Sequence, residues 1–327
     1  MPNRAFFAAL GGALLLSTAA QAQVQLRIAG NFPEDHTATG AMEIFKDEVE
    51  TITDGGIQVD LFPAMQLGGA QENVDQVRSG AIFGVFTSIA YFSRSVPEYE
   101  AVSLPFLFDS REQAFALMDG EVGDYLDAKM AEEGFVNLGY MELGFRHVTN
   151  DVRPIETMAD FEGLKIRLQP NEVHLDSMRA VGANPTPMDI SEVYSALQQG
   201  VLDGQENPYN IIATRGFDEV QTYLSDSGHF FDFINAVANQ ERFEELSAEH
   251  QEAVREAMRT AVLWQREEAA AQEEKFREVL IERGMTFTPI SDEVRAELRE
   301  ATSGVVDGLR ERIGDEPIDL VLANIEP

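Results

Sequence analysis

Residues 163–208 read GLKIRLQPNEVHLDSMRAVGANPTPMDISEVYSALQQGVLDGQENP. Leu164, Ile166 and Leu168 make a short apolar run around Arg167, with Gly163 before it and Pro170 after it. That is the pattern of a buried strand ending at a loop. Arg167 then lies near a strand end, where open α/β sheets bind ligands. A buried guanidinium cannot shed its proton, so it requires an anion. Either a protein carboxylate, such as Glu192 or Asp176, or a ligand supplies it.

Asp189 and Glu192 have the spacing of a capping box. Ile190, Val193, Tyr194 and Leu197 follow at the spacing of one apolar helical stripe, and Gly200 is placed to end it. Val201 and Leu202 read as another short strand, turned by Asp203 and Gly204. Gln205, Glu206 and Asn207 would emerge at its end, before Pro208. Two strand ends thus bring an arginine and an amide towards one place.

Three parts of this stretch, GLKIR, GANPTPM and SEVYSALQQGVLDGQENP, resemble the signature of the solute-binding proteins of tripartite ATP-independent periplasmic (TRAP) transporters. The C4-dicarboxylate-binding, DctP-like branch is the nearest. QLGGAQENVDQVRSGAI at 66–82, VSLPFLF at 102–108 and GFRHVTNDVRPI at 144–155 are similar to the same family, in the family's order. The resemblance covers most of the chain after residue 25. It implies an α/β, two-lobed periplasmic binding protein with a cleft between the lobes and no catalysis. It implies capture of a small organic acid: a C4-dicarboxylate, a hydroxy or keto acid, or a sugar acid. Delivery would be to the membrane subunits of a TRAP permease. From other classes, a periplasmic enzyme acting on sugar acids and a ligand sensor for a receptor kinase compete with this reading.

Composition sets outer limits. The chain has 327 residues, enough for about two domains, and 44% apolar residues to fill their cores. Its net charge of −33 repels nucleic acid and anionic lipid. An anion site on so acidic a protein must be locally basic and shielded, so its inward arginines are informative. There is no cysteine, hence no disulfide, thiolate metal site or cysteine nucleophile. The histidines, 36, 147, 174, 229 and 250, lack metal-ligand spacing. No metal or cofactor is expected. Arg4, the apolar run Ala5–Leu16 and Ala20-Gln21-Ala22 form a secretory leader, cut after about Ala22. The mature chain is expected to be periplasmic and monomeric.

Alternating strand and helix patterns from Leu26 onward predict βαβ units in a mostly parallel sheet. Ser247–Arg283 contains neither Gly nor Pro, which predicts one long helix or two abutting ones, reaching across both lobes. The expected division is lobe I at 23–145 plus about 230–270, and lobe II at 146–229 plus about 271–327.

The resemblance places ligand contacts on this chain. Arg167 would clamp the carboxylate with two guanidinium nitrogens, a geometry lysine cannot copy. Arg146 matches a second carboxylate contact, or else forms a hinge salt bridge. Asn207 matches a polar contact, or else a turn residue before Pro208. Glu72 matches a contact from the opposite lobe, or else caps a helix. Asp189 stands near the position where sialic-acid-binding relatives carry an aromatic, and would reach a hydroxyl or cap a helix. Gln169 would face the pocket. Phe32, His36, Phe86, Tyr209 and Phe231 are candidate walls.

Overall fold

A computed structural model describes residues 23–325; the expected leader at 1–22 lies outside them. Nine strands form one mixed sheet. They are β1 (Val24–Gly30), β2 (Ile57–Phe62), β3 (Gly84–Ser88), β4 (Phe135–Asn150), β5 (Lys165–Leu168), β6 (Asn184–Pro187), β7 (Gly204–Asn207), β8 (Tyr223–Asn239) and β9 (Thr286–Pro289). Their order is β2-β1-β3-β8-β4-β7-β5-β6, with β9 paired to β8. The three strands at one end are mutually parallel, as are β5, β6 and β7 at the other. The long antiparallel pair β4 and β8 joins the two groups. The fold is two-lobed and α/β, each lobe a small parallel sheet with helices around it.

The joining pair is longer than the sequence suggests. Phe135–Met141 reads as a complete strand, yet β4 continues to Asn150. Val220–Leu224 and Phe230–Ala238 read as two strands, yet β8 runs unbroken for 17 residues. The polar segment Ser225–His229 hides the continuity. Register shifts fall at Asn137/Gly139, Glu142/Gly144 and Arg146/Val148. Gly144 has a positive φ of 118° at the second of these shifts, a conformation glycine adopts without strain.

In the stretch around Arg167, β5 forms where expected. Val201 and Leu202 are not a strand; β7 begins at Gly204. An added Cβ on Gly204 would stand 2.1 Å from the Thr149 carbonyl oxygen of β4. Glycine alone lets these strands pair, so Gly204→Ala should lower stability by about 1–3 kcal/mol, an overpacking penalty. Urea denaturation checks this, and an unchanged midpoint would refute it. Pro185 and Pro187 sit in β6, which tolerates proline because it is the sheet's outer strand.

Helix Ala248–Glu282 is one continuous element of 35 residues. It packs on helix Thr37–Ile52, on β4 and on helix Tyr209–Thr214, and so contacts both lobes. Its buried face is rich in alanine, with Ala253, Ala257 and Ala261 against Ala41, Met42 and Phe45. Small residues permit close approach; a Cβ on Gly40 would meet Trp264 at 2.6 Å. Asp292–Arg312 reads as one last helix but forms two, Asp292–Ala301 and Val305–Ile313, followed by Glu316–Asn324. Val305–Ile313 packs on helix Glu172–Ala180 as well as on Pro97–Ser103, and Glu316–Asn324 packs on Glu121–Glu132. Val305, Leu309, Ile318 and Val321 join the apolar cluster of Tyr99, Val122 and Leu126. Val294 and Leu298 stay with Phe161 and Ile166.

Candidate functional site

Arg167 leaves β5 fully buried. Its Nε and Nη2 donate to the Met188 carbonyl at 2.9 and 2.7 Å, and Nη2 donates to the Tyr91 hydroxyl at 3.2 Å. Nη1 has no partner, and no carboxylate among the described residues pairs with this guanidinium. The protein partners conceivable from sequence lie elsewhere. Asp176 pairs with Arg179 and Arg312, and Glu192 is exposed. Neutral oxygens cannot balance a buried positive charge, so Arg167 is held in place without being neutralised.

Arg167 borders a small pocket between the lobes, together with Phe32, Gln169 and Asn207. Asn31, Ser88, Tyr91 and Arg215 also border it, and none of the lining side chains is acidic. The Arg215 side chain donates to the Asn31 carbonyl across the cleft, while its Nε is buried without a partner. Burial, with Arg167 repelling it, pulls the Arg215 guanidinium down to about 10. Two cations therefore face one enclosed space.

The lobes touch directly around this space. Gln169 donates to Ser88 at 2.9 Å, and Asn171 donates to Ser93 at 3.2 Å. The Gln71 backbone N–H donates to Asp189 at 3.2 Å.

Arg146 is different. Its guanidinium is fully buried and forks onto Glu206, with Nη2–Oε1 at 2.7 Å. Nη1 donates to Asp232 at 3.1 Å and Nη2 to Asn207 Oδ1 at 3.1 Å. Burial alone would raise the Glu206 carboxyl, but the Arg146 guanidinium bonded to it holds it well below its usual range. Burial pushes the Asp232 carboxyl up, against the pull of Arg146. Arg146 is thus the salt-bridged arginine of the junction, and its carboxylates are the protein's own. Arg146 does not border the pocket that Arg167 lines.

Arg146, which can only donate, fixes the oxygen of Asn207, and a relay of side chains holds its nitrogen. Gln221 Nε2 donates to the Val220 carbonyl at 2.9 Å, so its Oε1 accepts from Thr149 Oγ1 at 2.9 Å. With its only hydrogen used, Thr149 accepts from Gln205 Nε2 at 2.9 Å. Gln205 Oε1 then accepts from Asn207 Nδ2. Asn207 keeps one further N–H.

Three other expected contacts do not border the pocket. Glu72 is exposed, since Asn73, Val74 and Val77 form the buried face of its helix and it falls on the other. Asp189 caps helix Ile190–Gln198, accepting from Ser191 N at 2.9 Å with Oδ1, while Oδ2 takes the Gln71 N–H. His36 stands behind Phe32, stacked at 4.7 Å, and its Nδ1 caps helix Thr37–Ile52. Of the proposed walls, Phe32 alone borders the pocket. Phe86 is core, Phe231 belongs to an aromatic cluster with Phe145 and Phe233, and Tyr209 stacks on His147. Sequence reading missed Arg215, Tyr91 and Asn31. The outstanding clue was Arg215 itself, a cation eight residues beyond Asn207 on so acidic a chain.

Burial brings His36 down to about 3, assisted by Arg215, and brings His174 down to about 3. Both stay neutral in the fold, so each contributes stability that is full above about pH 6.5 and is lost as pH falls towards 3. By pH 5 the loss is about 2 kcal/mol per histidine. Glu142 opposes it, because burial raises its carboxyl to about 7 despite Arg111. Two results are expected. The His36 and His174 imidazole resonances do not titrate between pH 8 and 5, and Glu142→Gln loses thermal stability more steeply than wild type over pH 7 to 5. Titration of either ring near 6.5 would contradict the burial.

A two-lobed α/β scaffold whose closed cleft presents an unneutralised arginine defines a solute-binding protein for anions. The chain belongs to the bacterial extracellular solute-binding protein family 7 (DctP), whose model matches residues 28–312. It is 33% identical over 276 residues to the 2,3-diketo-L-gulonate-binding periplasmic protein YiaO of Escherichia coli, covering 84% of each chain. It is 31% identical over 293 residues to the C4-dicarboxylate-binding periplasmic protein DctP of Rhodobacter capsulatus, covering 89% of this chain and 87% of that one. The crystal structure of a TRAP periplasmic solute-binding protein from Polaromonas sp. JS666, bound to D-erythronate, superposes with a TM-score of 0.88. It shares 34% identity and covers 92% of this chain and 99% of that chain. This is an extracytoplasmic solute-binding protein of the TRAP type, not an enzyme.

Proposed function

We propose that the mature chain, released after about Ala22, works as a monomer in the periplasm. It captures one small organic acid on Arg167 and presents the closed form to the membrane subunits of a TRAP permease. The observation that carries this reading is the buried Arg167, held by neutral oxygens and open at Nη1 beside the pocket. Asn207, Gln169 and Phe32 line the same space and serve as further contacts. Glu72, Asp189 and His36 act around it, in capping and support. Relatives named for a dicarboxylate and for a sugar acid support an acid as the ligand class.

The lobes of this reading are 23–145 with about 230–270, and 146–229 with about 271–327, with the last two helices packing on lobe I as well. Ligand contacts on both lobes favour the closed state, a population shift. Closure excludes water and strengthens the guanidinium–carboxylate attraction.

A thermal-shift screen of organic acids on the mature protein tests the capture. A ligand at a hundred times its Kd stabilises by about 2.7 kcal/mol. Transport is tested by uptake of the hit in a strain lacking the gene. Loss of uptake is expected; unimpaired uptake would remove the permease from the reading.

A further inference from the structure

We infer that Arg215 is a second cationic contact of the pocket, and that the pocket selects a hydroxylated monocarboxylate over an unsubstituted dicarboxylate. This rests on the reading of Arg167 as the carboxylate clamp.

Four of the pocket's unused hydrogen-bonding atoms are fixed as donor or acceptor, while the Thr87 hydroxyl, also buried and without a partner, can serve as either. Arg167 Nη1 and Arg215 Nε are donors, both buried and both without partners. Asn31 Oδ1 and Gln169 Oε1 are buried without partners too, and they are acceptors. Neither amide can be turned over to change this. Asn73 Nδ2 donates to the Leu67 carbonyl at 3.0 Å, so its Oδ1 must accept from Asn31 Nδ2, at 2.8 Å. That leaves Asn31 with its oxygen. Ser88 gives its one hydrogen to the Asp232 carboxylate at 2.9 Å and already accepts from the Ala90 N–H at 3.1 Å. It can meet Gln169 only as an acceptor, so Gln169 presents its NH₂ to Ser88 at 2.9 Å and keeps its oxygen.

One carboxylate satisfies the donors, its two oxygens taking the two guanidinium N–H groups. The acceptors need something else: ligand O–H groups. A second carboxylate has no hydrogen to give and would set its own oxygens against those of Asn31 and Gln169. A site built to bond a hydroxyl discriminates strongly against an analogue without one, since its buried polar groups are left unpaired.

The experiment is calorimetry on the mature wild-type protein with matched pairs of acids. The stereoisomers of 2,3,4-trihydroxybutanoate are set against succinate, and those of the six-carbon pentahydroxy acids against adipate. At least one hydroxylated monoacid should bind at least about tenfold more tightly than its dicarboxylate partner, as expected where hydroxyl recognition decides. Arg215→Gln should weaken that acid by at least tenfold while the ligand-free melting temperature shows it folded. If succinate or adipate binds as tightly as every hydroxylated partner, and Arg167→Ala abolishes that binding, the selectivity is overturned and the clamp stands. If no acid binds, or binding is indifferent to Arg167→Ala, the clamp itself fails and this inference with it. Unchanged affinity in folded Arg215→Gln overturns the second contact.

Discussion

Arg167→Ala binds its acid roughly 30-fold to several-thousand-fold more weakly than wild type, equivalent to about 2–5 kcal/mol. Calorimetry with the acid identified by screening reads this directly. The loss is large because the ligand's buried carboxylate would lose the guanidinium that clamps it. The ligand-free protein should tolerate the change well. Arg167 makes no ion pair, and its removal takes away an uncompensated cation that already repels Arg215. Arg167→Lys should recover only part of the affinity, because an ammonium cannot present two donors to one carboxylate while also holding Met188. Wild-type affinity in the alanine variant would sink the assignment.

Arg146→Ala has the opposite profile. Breaking a buried pair strands its partners, and here two carboxylates, Glu206 and Asp232, would lose their cation. The expected destabilisation is about 3–5 kcal/mol. For a protein of this size that is a fall of roughly 5–10 °C in melting temperature. Differential scanning calorimetry without ligand checks it. A variant that melts like wild type yet cannot bind would mean that Arg146, not its carboxylate neighbours, serves the ligand. The two arginines thus separate by assay: one is seen in affinity, the other in melting.

Sequence reading found the elements near Arg167 because their signals are local. Strand β5, the helix capped by Asp189 and the stop at Gly200 each depend on a few adjacent residues. The long helix was legible from its lack of Gly and Pro. The joining pair was not, because pairing along β8 carries Ser225–His229 through a segment that reads as a loop. Proline obscured β6 for a similar reason: only its outer position in the sheet makes it a strand.

The site divides in the same way. Arg167 was legible as a charge in an apolar run. Whether it or Arg146 held the ligand was not, since both are buried arginines beside strands. The difference lies in Glu206 and Asp232, which approach Arg146 from β7 and β8, and in their absence around Arg167. Arg215 and Tyr91 reach the pocket from helix ends far apart in sequence, and no spacing rule connects them.

The chain of amides from Gln221 to Asn207 has a consequence for how such a receptor changes its taste. The face that Asn207 offers a guest is fixed by Arg146 on its oxygen and, on its amide nitrogen, by a relay that ends at the carbonyl of Val220. Exchange of Gln221 for a residue that must donate to Thr149 would set this relay against Arg146, which can only donate. The grip on the solute is therefore sensitive to mutations that never meet it.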